Sequence, residues 1–261
     1  MKVLRLSLFK RVAFYVALII IWELIYKIGV EYLSIWKPYS FSSPIQVFRV
    51  LIDMVMDKTL LIAIISSIYR MIIGYSISLI IGMVVGLVIV NFRYIDENLS
   101  PIILGLQTLP NVCWLPFAIL WYGLNEKAIF FIIAIGSTFA ITIAVEAGIK
   151  NINPIYIKSA KTMGAIGIKM YLYVILPAAL PSIINGMKQG WSFAWRALIA
   201  GEMFVACGGL GQILMIGRDI SDISSIMATM LVIILLGIAF DKLIFAKIEY
   251  SIRCRWGFDR N

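Results

Sequence analysis

The sequence predicts an all-α, polytopic membrane protein with about six transmembrane helices. Three observations carry this: a composition too apolar for water, six long apolar runs, and lopsided placement of basic residues. Hydrophobic residues make up 62% of the 261-residue chain and charged residues 14%, with a mean hydropathy of +0.97. A soluble domain carries roughly a quarter charged residues, so a water-facing surface is excluded. A bilayer span takes about 20 residues. Six spans with their connections therefore use most of the chain, which reads as one transmembrane domain over 1–261.

The first run covers Val12 to Ile28 and follows Lys2, Arg5, Lys10 and Arg11. No small-residue cleavage site follows it, so it reads as an uncleaved anchor rather than a signal peptide. Residues 30–58 are punctuated by Pro38, Pro44 and serines and read as a loop with room for one short amphipathic helix. The second run is Leu60 to Val90, and 91–98 is a short charged turn. The third, Leu99 to Tyr122, is interrupted by Pro101, Pro110 and Pro116, and the fourth runs from Ala128 to Ile149. A polar break with Lys150, Lys158, Lys161 and Lys169 precedes the fifth span, within Leu176 to Ala206. Gly208-Gly209-Leu210-Gly211 then opens a loop containing Arg218, Asp219 and Asp222, and the sixth run is Ser224 to Phe240.

Charge placement sets an orientation. Segments 1–11, 91–98, 149–176 and 241–261 hold fourteen Lys and Arg, and the intervening connections hold six. The positive-inside rule puts the first set, including both termini, in the cytoplasm. The net charge of +9 is thereby read as orientation against an anionic leaflet, with no nucleic-acid partner. The chain has no histidine, and Cys113, Cys207 and Cys254 are far apart. No metal site, cofactor or disulfide framework is expected, and the cysteines read as small apolar fillers. There is no G-x-x-x-x-G-K-[ST] phosphate loop and no nucleophile–base pair, so the chain is not expected to be an enzyme.

The fifth run is two-faced. On a helical wheel Asn185, Lys188, Gln189, Ser192, Arg196 and Glu202 fall within an arc of about 140°, and Gly186, Gly190, Ala194, Ala197 and Gly201 lie opposite. Small residues let helix backbones approach closely. Intramembrane charges face cavities or partners. This pattern predicts a helix packed by its back and polar at its front, a candidate translocation path in which Glu202 can pair with Arg196. Arg70 shares a four-residue spacing with Ser66, Gly74, Ser78, Gly82 and Gly86 and reads first as part of a packing stripe. In the 149–176 break, Ile155, Ser159, Met163, Ile166 and Met170 share an arc of about 80°, while Lys158, Lys161 and Lys169 share another. Gly164 and Gly167 favour two short helices around a turn.

This last segment carries a resemblance. It is similar to the EAA loop of binding-protein-dependent ABC importer permeases, E-A-A, three residues, Gly, nine residues, Ile, one residue, Leu-Pro. Lys158-Ser159-Ala160 stand where E-A-A would be, Gly164 is the glycine, and Val174, Leu176 and Pro177 follow in register. Lys158 departs from the pattern by replacing the acidic residue. Ser67 to Gly74, Gln107 to Pro116 and Gly186 to Met203 also resemble this family, the last run its nitrate/sulfonate/taurine branch. The resemblance implies a type I importer permease fold with its core over about 60–250 and a coupling loop over about 150–176. It further implies a homodimer or paired permease, cytoplasmic ATPase subunits, an external solute-binding protein and a small anion as cargo. In that reading Ile155, Lys158, Ser159, Ala160, Met163, Gly164, Ala165, Leu176 and Pro177 form the ATPase-coupling loop. A secondary transporter working without an ATPase is the alternative, although no convincing internal repeat is present.

Overall fold

A computed structural model describes residues 2–37 and 39–255, all helices and connections with no strand among them. Pro38 and 256–261, including part of the basic tail used above, lie outside the described residues. The first run forms α1 (Lys2–Tyr26), extended by a wide π turn to Tyr32. The expected amphipathic helix is α2 (Pro44–Met56), started by a reciprocal cap between Ser43 and Gln46 and by Pro44 in its first turn. The second run is α3 (Thr59–Asn91), and the charged turn is reduced to Phe92, because α4 (Arg93–Gln107) begins at once.

The third run is no continuous helix. α4 ends at Gln107 and α5 (Leu115–Tyr122) follows a short 3-10 turn at Asn111–Trp114. The two halves are bent by 103°. Of the three prolines only Pro110 sits at the break. Pro101 lies inside α4, and Pro116 falls in the first turn of α5, where its missing N–H has no bond to lose. Among the described residues, five helical stretches are long and apolar enough to span a membrane, or six if this bent pair counts as one.

The fourth run is α6 (Glu126–Lys150), and it is the centre of the bundle. On one side the α3 stripe faces it: a β-carbon at Gly74, Gly82 or Gly86 would lie 2.7, 2.8 and 2.7 Å from Ile133, Ile141 and Val145. On the other side lies α9 (Leu176–Phe204), where Gly190 meets Ile141 in the same way and Gly186 packs on Ala144. Two glycine-bearing helices thus close on one aliphatic ridge, as small-residue packing in lipid requires. Ser137 donates to Ser78 at 2.6 Å and Thr142 to the Gly82 carbonyl at 3.3 Å across the α3–α6 contact.

Between α6 and α9 the chain forms α7 (Pro154–Thr162) and α8 (Gly167–Met170), the two short helices expected. Gly164 (φ +83°) and Gly167 (φ +57°) adopt left-handed backbone at the turn. The Gly164 conformation ends α7 and lets Ala165 N–H reach the Ala160 carbonyl at 2.9 Å. A π turn at Tyr171–Ile175 runs straight into α9, immediately before Pro177, which has no N–H for the carbonyl four residues back.

Residues expected as a loop after Gly211 are helical. α10 (Leu210–Asp219) packs on α9 and on α11 (Ile223–Phe240), and a further π turn leads to α12 (Ala246–Arg255). α2 rests on α11 through Ser42 and Ser224, 2.8 Å apart, and on α1 through Trp22, which donates to the Ser42 carbonyl at 3.0 Å.

Candidate functional site

The antiparallel run of helices gives the bundle two ends. At the first lie the starts of α3 and α6, the end of α9, and α10, joined by one buried polar cluster. Arg70, 2% exposed, donates to Glu126 at 2.9 and 3.0 Å, to Glu202 at 2.8 Å, and to the carbonyls of Cys207 and Gly208. Glu202, 1% exposed, also accepts from the Ser67 hydroxyl at 2.8 Å and the Gly211 amide at 3.1 Å. Its carboxylate therefore sits at the N-terminus of α10, where partial positive charge favours an anion. A β-carbon at Gly209 would collide with that carboxylate, so the glycine turn makes room for it. Burial pushes the Cys207 thiol above its usual range, opposed by the nearby Arg70 charge.

This geometry replaces the expected Arg196–Glu202 pair. Glu202 belongs to the buried cluster and its partner is Arg70, which in turn is more than a member of the packing stripe. The remaining predicted path residues share a face of α9: Asn185, Gln189, Ser192 and Arg196 are exposed and Lys188 is half-buried. Lys188 is bound to Asp241 at 2.8 Å. Arg196 stacks on the Phe193 ring at 4.9 Å and donates through Nε to the Ser192 carbonyl at 3.1 Å. Among the described residues no carboxylate pairs with it.

Beside Arg196 the α4–α5 break opens a cavity of about 320 Å³, lined among others by Gln107, Asn111, Gly136, Phe139 and Phe193. Asn111 donates to the Phe193 carbonyl at 3.2 Å, tying the break to α9. Gly136 lets the break pack closely there, since a β-carbon would lie 3.0 Å from the Asn111 amide and 3.2 Å from Ala197. Non-helical backbone at membrane depth is tolerated only where it is buried in protein or lines a cavity. The wheel could not find this second wall, because it comes from another span; Pro110 marks the break, and nothing in the spacing says what the break faces.

The second end holds the 151–170 segment. Tyr171 donates to Asn91, and Lys150 bridges Asp96 and Glu146 at 2.5 and 2.9 Å. Ile155, Lys158, Ser159, Met163 and Gly164 are exposed, Ala165 and Pro177 are half-buried, and Leu176 is 37% exposed. Ala160 is buried, anchoring α7 on the bundle. Met163 is 87% and Ile166 76% exposed, whereas Met170 is buried at 6%. Met170 leaves the predicted apolar arc because the turn at 163–166 resets the helix. Of the cysteines read as filler, Cys113 and Cys254 are exposed and Cys207 is half-buried.

A bundle of apolar spans around a polar helix face, with an apolar and basic segment projecting from one end, defines a membrane transport subunit. The chain belongs to the family of binding-protein-dependent transport system inner membrane components, whose profile matches residues 78–251. It is 32% identical to an Escherichia coli permease protein named for aliphatic sulfonates transport, over 63% of this chain and 62% of that one. It is 27% identical to the nitrate import permease protein NrtB of Synechocystis, over 72% and 68%. It is 26% identical to the taurine transport system permease protein TauC of Escherichia coli, over 85% and 79%. The chain spans less than two-thirds of the length of the first of these relatives, 62%, and 68% of the second. Its fold matches the MetNI methionine ABC transporter in an inward-facing conformation, with a TM-score of 0.63 over 74% of this chain and 96% of that one at 18% identity. The chain is accordingly an inner membrane component of the binding-protein-dependent type, similar in sequence to permease proteins named for sulfonates, nitrate and taurine.

Proposed function

We propose that two copies of this chain form a pore for a small anion, driven by two cytoplasmic ATPase subunits and supplied by an external solute-binding protein. The observation that carries the coupling is the projecting segment at the second end, where Ile155, Met163 and Ile166 present apolar surface to solvent beside Lys158 and Lys161. Exposed apolar surface rimmed by charge is the mark of a docking site. Lys158, Ser159 and Gly164 shape that surface, while Ala160, Ala165, Leu176 and Pro177 transmit its movement into α9. The excess of Lys and Arg on this side supports a cytoplasmic placement of the segment and both termini. The path follows Asn185, Lys188, Gln189, Ser192 and Arg196. The cation at Arg196, without a carboxylate partner among the described residues, and the names of the relatives both favour an anion such as a sulfonate, taurine or nitrate.

Vesicles containing the chain with its ATPase and binding protein test this directly. Taurine or ethanesulfonate uptake requires ATP and all three components, and Met163→Asp uncouples hydrolysis from uptake while the protein still inserts. Uptake by the chain alone without ATP would replace this reading with a secondary transporter. A reporter fused at Asn151 reads cytoplasmic, and an external signal there would refute the docking surface.

A further inference from the structure

We infer that the α4–α5 break and Arg196 together form a binding subsite for a small monovalent oxyanion with a short apolar tail. This rests on the α9 face being part of the translocation path. The cavity lies within membrane depth. Gly136 is 10 residues along α6 and Arg196 is 8 residues before the end of α9, about 15 and 12 Å from the first end at 1.5 Å per residue. The hydrocarbon core is about 30 Å thick, and a charge held at such depth marks a functional site unless a partner neutralises it.

The two basic residues of this face differ on that point. Lys188 is held by Asp241. Among the described residues Arg196 has no carboxylate partner, and no hydrogen bond uses its terminal guanidinium nitrogens. Those nitrogens are the fork that matches an oxyanion. Across the cavity the Gln107 side chain has no hydrogen-bond partner among the described residues, and Asn111 has a second N–H beyond the one given to Phe193. Two amides and one guanidinium suit a single negative charge. The rings of Phe139 and Phe193 line the remainder and suit a short apolar chain. A volume of about 320 Å³ sits at the small end of ligand pockets. Arg196 is only partly covered, which gives the weak holding that passage requires.

The test reads local charge without an ATPase. In the full chain with Cys113→Ser, Cys207→Ala and Cys254→Ser, Thr108→Cys places one thiol at the break. Its reaction is followed with 2-sulfonatoethyl and 2-(trimethylammonio)ethyl methanethiosulfonate. With each rate divided by the same reagent's rate with a free thiol in solution, the sulfonate reagent is favoured by at least about tenfold, as an unscreened neighbouring cation dictates. Arg196→Gln removes the preference, Arg196→Lys keeps it, and millimolar ethanesulfonate slows labelling by an uncharged reagent. Size-exclusion profiles establish that each variant is folded. Equal normalised rates for the two reagents, no labelling by either, or an undiminished preference in Arg196→Gln would overturn the subsite. ATP-driven import failing while the preference stands would refute the importer reading and leave the subsite. Import proceeding without any preference would do the reverse.

Discussion

Arg70 and Arg196 both sit in apolar helices, Arg70 reaching Glu126 and Glu202 at the first end of the bundle and Arg196 about 9 Å further in along α9 than Glu202, and their surroundings are opposite. Arg70 is enclosed by two carboxylates and two backbone carbonyls and is 2% exposed. Arg196 faces a cavity with one main-chain bond and one ring beneath it. Burial with every donor satisfied makes an arginine a clamp between helices. An arginine held at membrane depth with donors to spare is free to meet a ligand. Residue type is the same here, so partner count is what separates structure from function.

The largest expected effect comes from opening the clamp. Arg70→Met or Glu202→Leu alone strands a buried charge, a loss of about 3–5 kcal/mol, and the protein then fails to run as a single species in size-exclusion chromatography. The double variant recovers part of the loss, because no buried charge is left unpaired. If Arg70→Met is as stable as the parent, the cluster does not hold the bundle. Next comes the packing that brings both arginines to one end: Gly86→Val puts a β-carbon 2.7 Å from Val145, and the strain lowers stability by about 1–3 kcal/mol. A smaller effect, confined to coupling, follows from Gly164→Val. Nothing lies within 4 Å of a β-carbon there, so only the left-handed backbone objects, by about 1–2 kcal/mol. Uptake falls while the unfolding midpoint of the bundle is unchanged, and Gly164→Asn retains more activity than Gly164→Val. The least change is expected from Lys188→Gln, since its pair with Asp241 is half-exposed and such pairs contribute about 0–1 kcal/mol; an unfolding midpoint far below the parent's would show that this pair, too, is a clamp.

Much of this was legible in the sequence because apolar run length and glycine spacing act locally. Gly74, Gly82 and Gly86 share a face wherever α3 goes, and Gly164 and Gly167 stop a helix without outside help. Pairing across spans is a different matter. A wheel drawn on α9 places Glu202 near Arg196, yet it contains no information about α3, and the carboxylate lies against Arg70 and the start of α10. The helix α10 itself was hidden because its ten residues are short and mixed, and its stability comes from packing on α9 and α11. The break at Pro110 was visible as an interruption, but its wall of Gln107 and Asn111 acquires meaning only beside Gly136 and Arg196.

The division between the two arginines is tested most directly by measuring unfolding midpoint and ATP-driven ethanesulfonate import on the same preparation of Arg196→Gln. An open, ligand-facing arginine gives a midpoint within about 2 °C of the parent with import lost, and Arg196→Lys restores part of it. A collapse of the fold like that of Arg70→Met, or import at the parental rate, would show that Arg196 is either a second clamp or a bystander.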